Sequence, residues 1–186
     1  MLKNVLHFAH QLLEETISPG ELAIDATSGN GNDTVVLAKL VGEQGKVLAF
    51  DIQEQAITST RQRLEASEHK NVTLIQDSHA LVDHYLENDE TISAAIFNLG
   101  YLPKSDKQII TTSSSTIPAV EKLLARLKKK GLIILVVYHG HEGGREEKTA
   151  LLEYVTGLDQ KKYHVLKYDF INQINNPPFV LAIEKK

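Results

Sequence analysis

Five short polar segments of the chain could bind a ligand or support chemistry, and each follows an apolar run. They are residues 25–33 (DATSGNGND), 51–53 (DIQ), 77–79 (DSH), 98–103 (NLGYLP) and 138–144 (YHGHEGG). Glycines in a turn let the backbone approach a ligand closely. Carboxylates accept hydrogen bonds from hydroxyl and amino groups, and histidine can carry a proton near neutral pH. The pattern therefore predicts a ligand site built from the ends of several apolar segments.

The elements that must position these segments alternate along the chain. Helices are predicted at about 3–17, 33–41, 53–67, 79–87, 116–129 and 145–157, and strands at 21–26, 46–50, 72–76, 92–97, 131–137, 163–170 and 178–184. Alternation of buried strands and helices implies a parallel, doubly wound sheet. The last two strands are joined only by a short turn-rich connection, so the final strand should run antiparallel. We predict an α/β fold with a mostly parallel seven-stranded sheet, which resembles the class I methyltransferase fold.

Length and composition narrow the class of protein. The 186 residues fit a single domain, 1–186, that begins with an amphipathic helix and not a signal peptide. No apolar run approaches the roughly 20 residues of a membrane span. The absence of cysteine excludes disulfides, thiolate metal ligands and a cysteine nucleophile, and it fits a cytoplasmic location. A net charge of −4 means that any RNA contact must come from a local patch.

The first glycine turn distinguishes between possible nucleotide ligands. A dinucleotide fingerprint places glycines at Gly29, Gly31 and position 34, but Thr34 occupies the last of these. No Walker phosphate-binding motif is present. Asp51 lies 20 residues beyond Gly31, where a carboxylate can accept both ribose hydroxyls of an adenosine ligand. A tight strand-to-helix turn with no ligand is the other interpretation, and a nicotinamide dinucleotide would also suit Asp51. The missing glycine and the antiparallel ending favour the methyl donor S-adenosylmethionine.

Three of these segments also resemble motifs of class I methyltransferases: the glycine turn (25–33), residues 51–53 and residues 77–79. Thr27 stands where the family commonly has its first glycine, and Asp77 stands where an acidic residue meets the adenine amino group. The residues that we predict to bind the cofactor are Asp25, Thr27, Gly29, Asn30, Gly31, Asp33, Asp51, Gln53, Asp77, Ser78 and His79.

The segment after the fourth strand suggests the reaction. Asn98-Leu99-Gly100-Tyr101 is similar to the Asn/Asp-Pro-Pro-Tyr/Phe motif of enzymes that methylate amino nitrogens, with Leu99-Gly100 replacing the prolines. In that motif an amide oxygen and a backbone carbonyl aim the nitrogen. An ordinary β-turn is the alternative interpretation. We predict Asn98, Tyr101 and His139 as catalytic residues, with His139 as a route for the proton. His139, His141 and Glu142 could instead hold a metal, but they lack helical spacing and a thiolate, and no metal is predicted.

Longer strings narrow the resemblance. AIDATSGNGNDT, FDIQEQAI, AAIFNLGYLP, VVYHGHEGGREEK and FINQINNPPF are similar to the bacterial rRNA methylase family, and the resemblance covers nearly the whole chain. A characterised branch of that family methylates 5-(aminomethyl)-2-thiouridine in tRNA. The resemblance thus implies methylation of the aminomethyl nitrogen on the wobble uridine, and it leaves rRNA open. A small-molecule N- or O-methyltransferase and a nucleotide-binding oxidoreductase or binding module are the alternatives.

The expected partner is tRNA, at the wobble position of the anticodon loop. The residues predicted to bind the substrate are Leu99, Gly100, Lys104, His141, Arg145 and Asn176. Lys107 and Lys148 could add phosphate contacts, and Tyr101 could stack on a base. Lys128-Lys129-Lys130 is predicted at a helix end, where cations complement the helix dipole, and is not counted as an RNA patch. A homodimer would extend the small RNA surface.

Overall fold

A computed structural model of the chain describes residues 1–100 and 111–186. Its helices are α1 (Val5–Thr16), α2 (Asn32–Val41), α3 (Glu54–Ala66), a 3-10 helix (His79–Tyr85), α4 (Ser113–Arg126) and α5 (Gly144–Thr156). Its strands are β1 (Leu22–Asp25), β2 (Lys46–Asp51), β3 (Val72–Gln76), β4 (Ile92–Leu99), β5 (Leu127–Val137), β6 (Tyr163–Tyr168) and β7 (Phe179–Lys185). Among these residues no helix is both long and apolar enough to cross a membrane.

The seven strands form one sheet in the order β3-β2-β1-β4-β5-β7-β6. Strands β1 to β5 pair in parallel, whereas β7 runs antiparallel to both β5 and β6. The predicted fold class and the antiparallel final strand are thus confirmed. The strand order reverses between β1 and β4, and α/β sheets bind ligands at such a reversal, outside the carboxyl ends of the strands.

Helices cover both faces of the sheet, which explains why the central strands are almost continuously apolar. One face packs against α1 and α2 through Val5, Ala9, Leu13, Leu37, Ala38 and Val41. The other packs against the 3-10 helix, α4 and α5 through Val82, Leu86, Ala119, Val120, Leu123, Leu151 and Val155. The sheet edge at the carboxyl ends of β1 to β5 is therefore a rigid base for the polar segments that follow them.

The boundary between α4 and β5 differs from the prediction. The helix ends at Arg126, and Lys128-Lys129-Lys130 lies in β5, so the prediction of a helix-end position for these lysines was wrong. Leu127 is buried opposite Ile92, and the register between β4 and β5 then shifts, with Lys130 at a φ of 64°. Such an irregularity is a β-bulge, which pattern reading cannot distinguish from the last turn of a charged helix.

Candidate functional site

Asp25, at the end of β1, ties the glycine turn together. Its side chain is fully buried, and it accepts hydrogen bonds from the Thr27 amide at 3.2 Å and the Thr34 hydroxyl at 2.6 Å. Burial, followed by the negative charge of Asp33, raises the pKa of Asp25 to about 7. Because its bonds join the start of the turn to the first residues of α2, this carboxyl sets the shape of the turn.

Helix α3 holds the middle of the turn. The Thr60 hydroxyl donates to the Gly29 carbonyl at 3.1 Å, and Arg63 Nε donates to the Asn30 carbonyl at 2.7 Å. Gly31 has a φ of 78°, and a Cβ atom there would lie 3.0 Å from Thr60 Cα. The glycine at position 31 is thus required by backbone conformation and by contact with α3, a reason that the sequence did not reveal.

Asp51 ends β2 beside this turn, as predicted. Its oxygens accept from the Gly29 and Gln53 amides, both at 3.0 Å. Burial raises the pKa of Asp51, and hydrogen bonds from the backbone oppose that shift. Gln53 thus takes part in the site through its backbone amide. Two backbone donors therefore fix the carboxylate, which retains further lone pairs for a ligand.

The segment after β3 contains a half-buried carboxylate, Asp77, and a buried imidazole, His79. Asp77 accepts from the Ser78 amide at 2.7 Å and the Tyr85 hydroxyl at 2.6 Å, and the hydrogen bond from Tyr85 is the main cause of its lowered pKa. His79 is buried, with Nδ1 at 2.9 Å from the Ala26 carbonyl, and burial lowers its pKa. A carbonyl only accepts, so Nδ1 carries the proton, and His79 supports the turn from beneath.

Asn98, near the end of β4, belongs to a chain of side chains that crosses the strand reversal. Its Nδ2 donates to Asp33 Oδ2, and its backbone amide donates to the Thr27 hydroxyl at 2.7 Å. Asp33 Oδ1 lies 2.6 Å from His10 Nε2 of α1. This bond is the main cause of the raised pKa of His10. The structure therefore joins Asn98 to the cofactor turn through Asp33, and His10 of α1 is the next member of this chain.

The backbone groups of Leu99 and Gly100 form hydrogen bonds with residues outside β4. The Leu99 carbonyl accepts from the Tyr138 amide at 3.0 Å, and the Gly100 carbonyl accepts from the Thr111 amide at 3.0 Å. The Gly100 amide donates to the Thr111 hydroxyl at 2.9 Å. Predicted residues Tyr101 and Lys104, together with Lys107, lie outside the described residues.

Glu147 of α5 anchors this region, and sequence reasoning missed it. Its side chain is buried, Oε2 accepts from the Thr111 hydroxyl at 3.0 Å, and Oε1 accepts from the Thr116 hydroxyl at 3.1 Å. Burial raises the pKa of Glu147. One buried carboxyl thereby connects α5, the first turns of α4 and the segment next to Gly100. A single glutamate in an amphipathic helix gives no sequence signal for such a role.

The loop after β5 and the connection between β6 and β7 form the other side of the site. Four predicted residues line one cavity of about 350 Å³, together with Glu142 and Glu146: His139, His141, Arg145 and Asn176. His139 is buried, and its Nε2 donates to the Pro177 carbonyl at 3.0 Å. Burial, then the charge of Lys148, lowers the pKa of His139. In the part of the chain that the structure describes, no group of three potential ligands could hold a metal ion.

Comparison with known proteins identifies the class that this fold and site define. A putative rRNA methylase from Clostridium thermocellum is 44% identical and superimposes with a TM-score of 0.97, with all of both chains covered. A putative methyltransferase from Streptococcus mutans, solved in complex with SAH, is also 44% identical, with a TM-score of 0.92 and full coverage of both chains. The present chain is an S-adenosylmethionine-dependent methyltransferase of Rossmann-like fold.

The sequence also defines the family. Residues 47–184 match the family described as "Putative rRNA methylase", and the chain belongs to it. The tRNA (mnm(5)s(2)U34)-methyltransferase, chloroplastic, of Arabidopsis thaliana is 36% identical over 193 residues, covering 99% of this chain and 70% of the relative.

Proposed function

We propose that this enzyme methylates the aminomethyl nitrogen of 5-aminomethyl-2-thiouridine at the wobble position of tRNA. The observation that carries the proposal is the Asn98 amide near the end of β4, fixed by Asp33 beside the glycine turn. The similarity to a plant tRNA methyltransferase named for this nucleotide, along nearly the full chain, supports the choice of substrate. An amide oxygen at this position suits an amine, because it can accept a hydrogen bond from the nitrogen and direct its lone pair.

The polar groups at the carboxyl ends of β1 to β3 fit the cofactor. Asp51 is held by two backbone donors and is placed to accept from ribose hydroxyls. Asp77 lies after the adjacent strand, where it would meet the adenine amino group. Ile52, which directly follows Asp51, is 55% exposed and offers an apolar surface for the adenine ring. When bound, S-adenosylmethionine supplies an activated methyl group, and the turn from Asp25 to Asp33 would hold it.

The remaining requirements are orientation of the nucleophile and removal of a proton. Displacement of the methyl group needs the unprotonated nitrogen about 3–3.5 Å from the methyl carbon. A hydrogen-bond acceptor that holds the amine in this position therefore contributes much of the rate enhancement. We assign this role to Asn98 Oδ1. The Leu99 and Gly100 carbonyls each accept one backbone hydrogen bond, which occupies one of their two lone pairs. His139 Nε2 donates to Pro177, which leaves Nδ1 as the ring nitrogen that can accept the proton of the amine.

The cavity lined by His139, His141, Arg145 and Asn176 is the proposed entry for the nucleotide. Arg145 is exposed at its edge and can meet a phosphate. Asn176 has a φ of 53°, and its neighbour Asn175 also has a positive φ. Two consecutive residues in this region, which asparagine tolerates better than most residues, turn the connection between β6 and β7 toward the cavity. Gly100 adjoins this cavity, since a Cβ there would lie 3.8 Å from His141 Cε1, whereas Leu99, also predicted to bind the substrate, is fully buried in the hydrophobic core.

Methyl transfer to defined RNAs tests the proposal. The purified protein and labelled S-adenosylmethionine are incubated with tRNA that carries 5-aminomethyl-2-thiouridine, and separately with rRNA lacking methylation. Nucleoside analysis by mass spectrometry should detect 5-methylaminomethyl-2-thiouridine in the tRNA. Unchanged tRNA nucleosides would disprove the proposed substrate, and methylation of rRNA alone would replace it with the other substrate class that the family description suggests.

The role of Asn98 is tested in the same assay. Asn98→Ala should lower kcat about 100-fold, because the amine loses the acceptor that orients it. The dissociation constant for S-adenosylmethionine should change by less than about threefold, because Asn98 is not among the cofactor ligands proposed here. Asn172→Ala, at an exposed asparagine in the connection between β6 and β7, serves as the matched control. Turnover near the wild-type value in Asn98→Ala would refute the assignment.

A further inference from the structure

The orientation of the Asn98 amide is determined by its partner. Asp33 Oδ2 is a carboxylate oxygen, which accepts hydrogen bonds and donates none. The Asn98 group that faces it must therefore be the NH2 group, as the structure shows. Oδ1 of Asn98 then points to the opposite side of the amide, away from Asp33. An asparagine without such a partner could present either its oxygen or its nitrogen to a substrate.

Asp33 is itself held in place. It is 9% exposed, lies in the first turn of α2, and has its other oxygen 2.6 Å from His10 Nε2. His10 belongs to α1, which packs on the same sheet face as α2. The backbone of Asn98 is fixed independently by the Thr27 hydroxyl. The carboxylate and the amide are thus both anchored by other elements, and their mutual orientation does not depend on a bound ligand.

We propose that Asp33, supported by His10, is a positioning residue that selects the amide orientation of Asn98 and so presents Oδ1 to the amine substrate. This inference rests on the proposed N-methyltransferase function. With the amide reversed, its oxygen would face the Asp33 carboxylate with no proton between them. Its NH2 group would then donate to the lone pair of the amine, which must stay free for methyl transfer. A charge-assisted hydrogen bond favours the observed orientation by a factor on the order of 10–100.

A double variant that exchanges donor and acceptor tests the inference. In Asp33→Asn the new amide can pair with Asn98 in either orientation, and kcat should fall about tenfold. In Asn98→Asp two carboxylates would face each other, and kcat should fall by a similar or larger factor. In the double variant the amide at position 33 can donate to one oxygen of the carboxylate at position 98, and the other oxygen can accept from the amine. The double variant should therefore recover at least tenfold in kcat over the poorer single variant.

A spectroscopic measurement makes the test independent of turnover. In 15N-labelled protein the side-chain NH2 signal of Asn98, identified by its loss in Asn98→Asp, should show a proton shifted downfield by the carboxylate and slow exchange with water. Asp33→Asn should remove the downfield shift. Thermal unfolding of each variant serves as the control that it is folded.

The outcomes separate the two proposals. Wild-type protein that transfers no methyl group to the aminomethyl tRNA would overturn the proposed function and this inference with it. An active wild type combined with a double variant no better than the poorer single variant would overturn the inference alone. An Asn98 signal that is unchanged in Asp33→Asn would do the same.

Discussion

The two sides of the site are built in different ways. On the side of β1 to β3, local bonds such as that of Asp25 with Thr27 are combined with bonds from α3 to the carbonyls of the turn. On the side of β5 to β7, a single buried side chain, Glu147, joins α5 to Thr111 and Thr116. The connection between β6 and β7 also exposes Ile171 to 96%.

This difference suggests that one side is suited to binding the cofactor and the other to binding the substrate. A cofactor of constant chemistry is best bound by a turn whose shape is fixed by many hydrogen bonds and close backbone packing. A large substrate is better bound by connections that are held at only a few points. Substitutions on the two sides should therefore differ in their effects on stability, cofactor affinity and the pH dependence of stability.

The largest expected effect on stability is at Glu147, which anchors the second side. Glu147→Ala should lower the free energy of unfolding by about 3 kcal/mol, because the Thr111 and Thr116 hydroxyls lose their buried acceptor and a cavity remains. Glu147→Gln keeps one acceptor and should lose less. Urea unfolding provides the measurement. Glu146→Ala, at the exposed neighbouring position, is the control, and an equal loss there would contradict the anchoring role.

A smaller loss is expected at Gly31 on the first side. Gly31→Ala should cost about 2 kcal/mol, since alanine is strained at a φ of 78° and its Cβ would lie 3.0 Å from Thr60 Cα. Gly140→Ala is the matched change on the second side, where the added Cβ would lie 3.6 Å from Asn176 Cβ, an ordinary contact. Thermal unfolding of both variants compares the two sides directly. Equal melting temperatures would show that the turn is less rigid than its contacts indicate.

The next effect concerns cofactor affinity. Asp51→Ala should weaken S-adenosylmethionine binding about tenfold, equivalent to about 1.4 kcal/mol, because it removes the proposed acceptor of ribose hydroxyls. Isothermal titration calorimetry measures the dissociation constant. Glu54→Ala removes a nearby exposed carboxylate and should leave binding unchanged. Similar losses in both variants would indicate a general effect of negative charge and not a ribose contact.

The same contrast explains which parts could be read from the sequence. The sheet, its antiparallel ending and the positions of Asp25, Asp51 and Asn98 follow from strand periodicity and from turn residues, which are local signals. Glu147 could not be found in this way, because its role depends on Thr111 and Thr116, which precede it by 36 and 31 residues. The end of α4 was misplaced for a related reason, since burial of Leu127 against β4 outweighs the helical preference of the lysines after it.

The smallest effect tests the link between α1 and the turn, and it depends on pH. The pKa of His10 is raised above its ordinary value of 6.5, mainly by its bond to Asp33, with smaller effects from the charges of Asp33 and Glu14. A raised pKa means that the folded protein holds the proton more tightly than the unfolded chain does. The stabilisation is therefore complete below about pH 6.5 and disappears as pH rises through the folded pKa. His10 is partly exposed, so the contribution should be about 1 kcal/mol or less.

His10→Gln keeps a donor for Asp33 without the charge, and the other titrating groups, including Asp25, are common to both proteins. The difference in free energy of unfolding between wild type and variant should favour the wild type at pH 5.5 and shrink by pH 9. A difference that stays constant over this range would mean that His10 holds Asp33 as a neutral donor, and that α1 supports the turn by packing and hydrogen bonding without an ion pair.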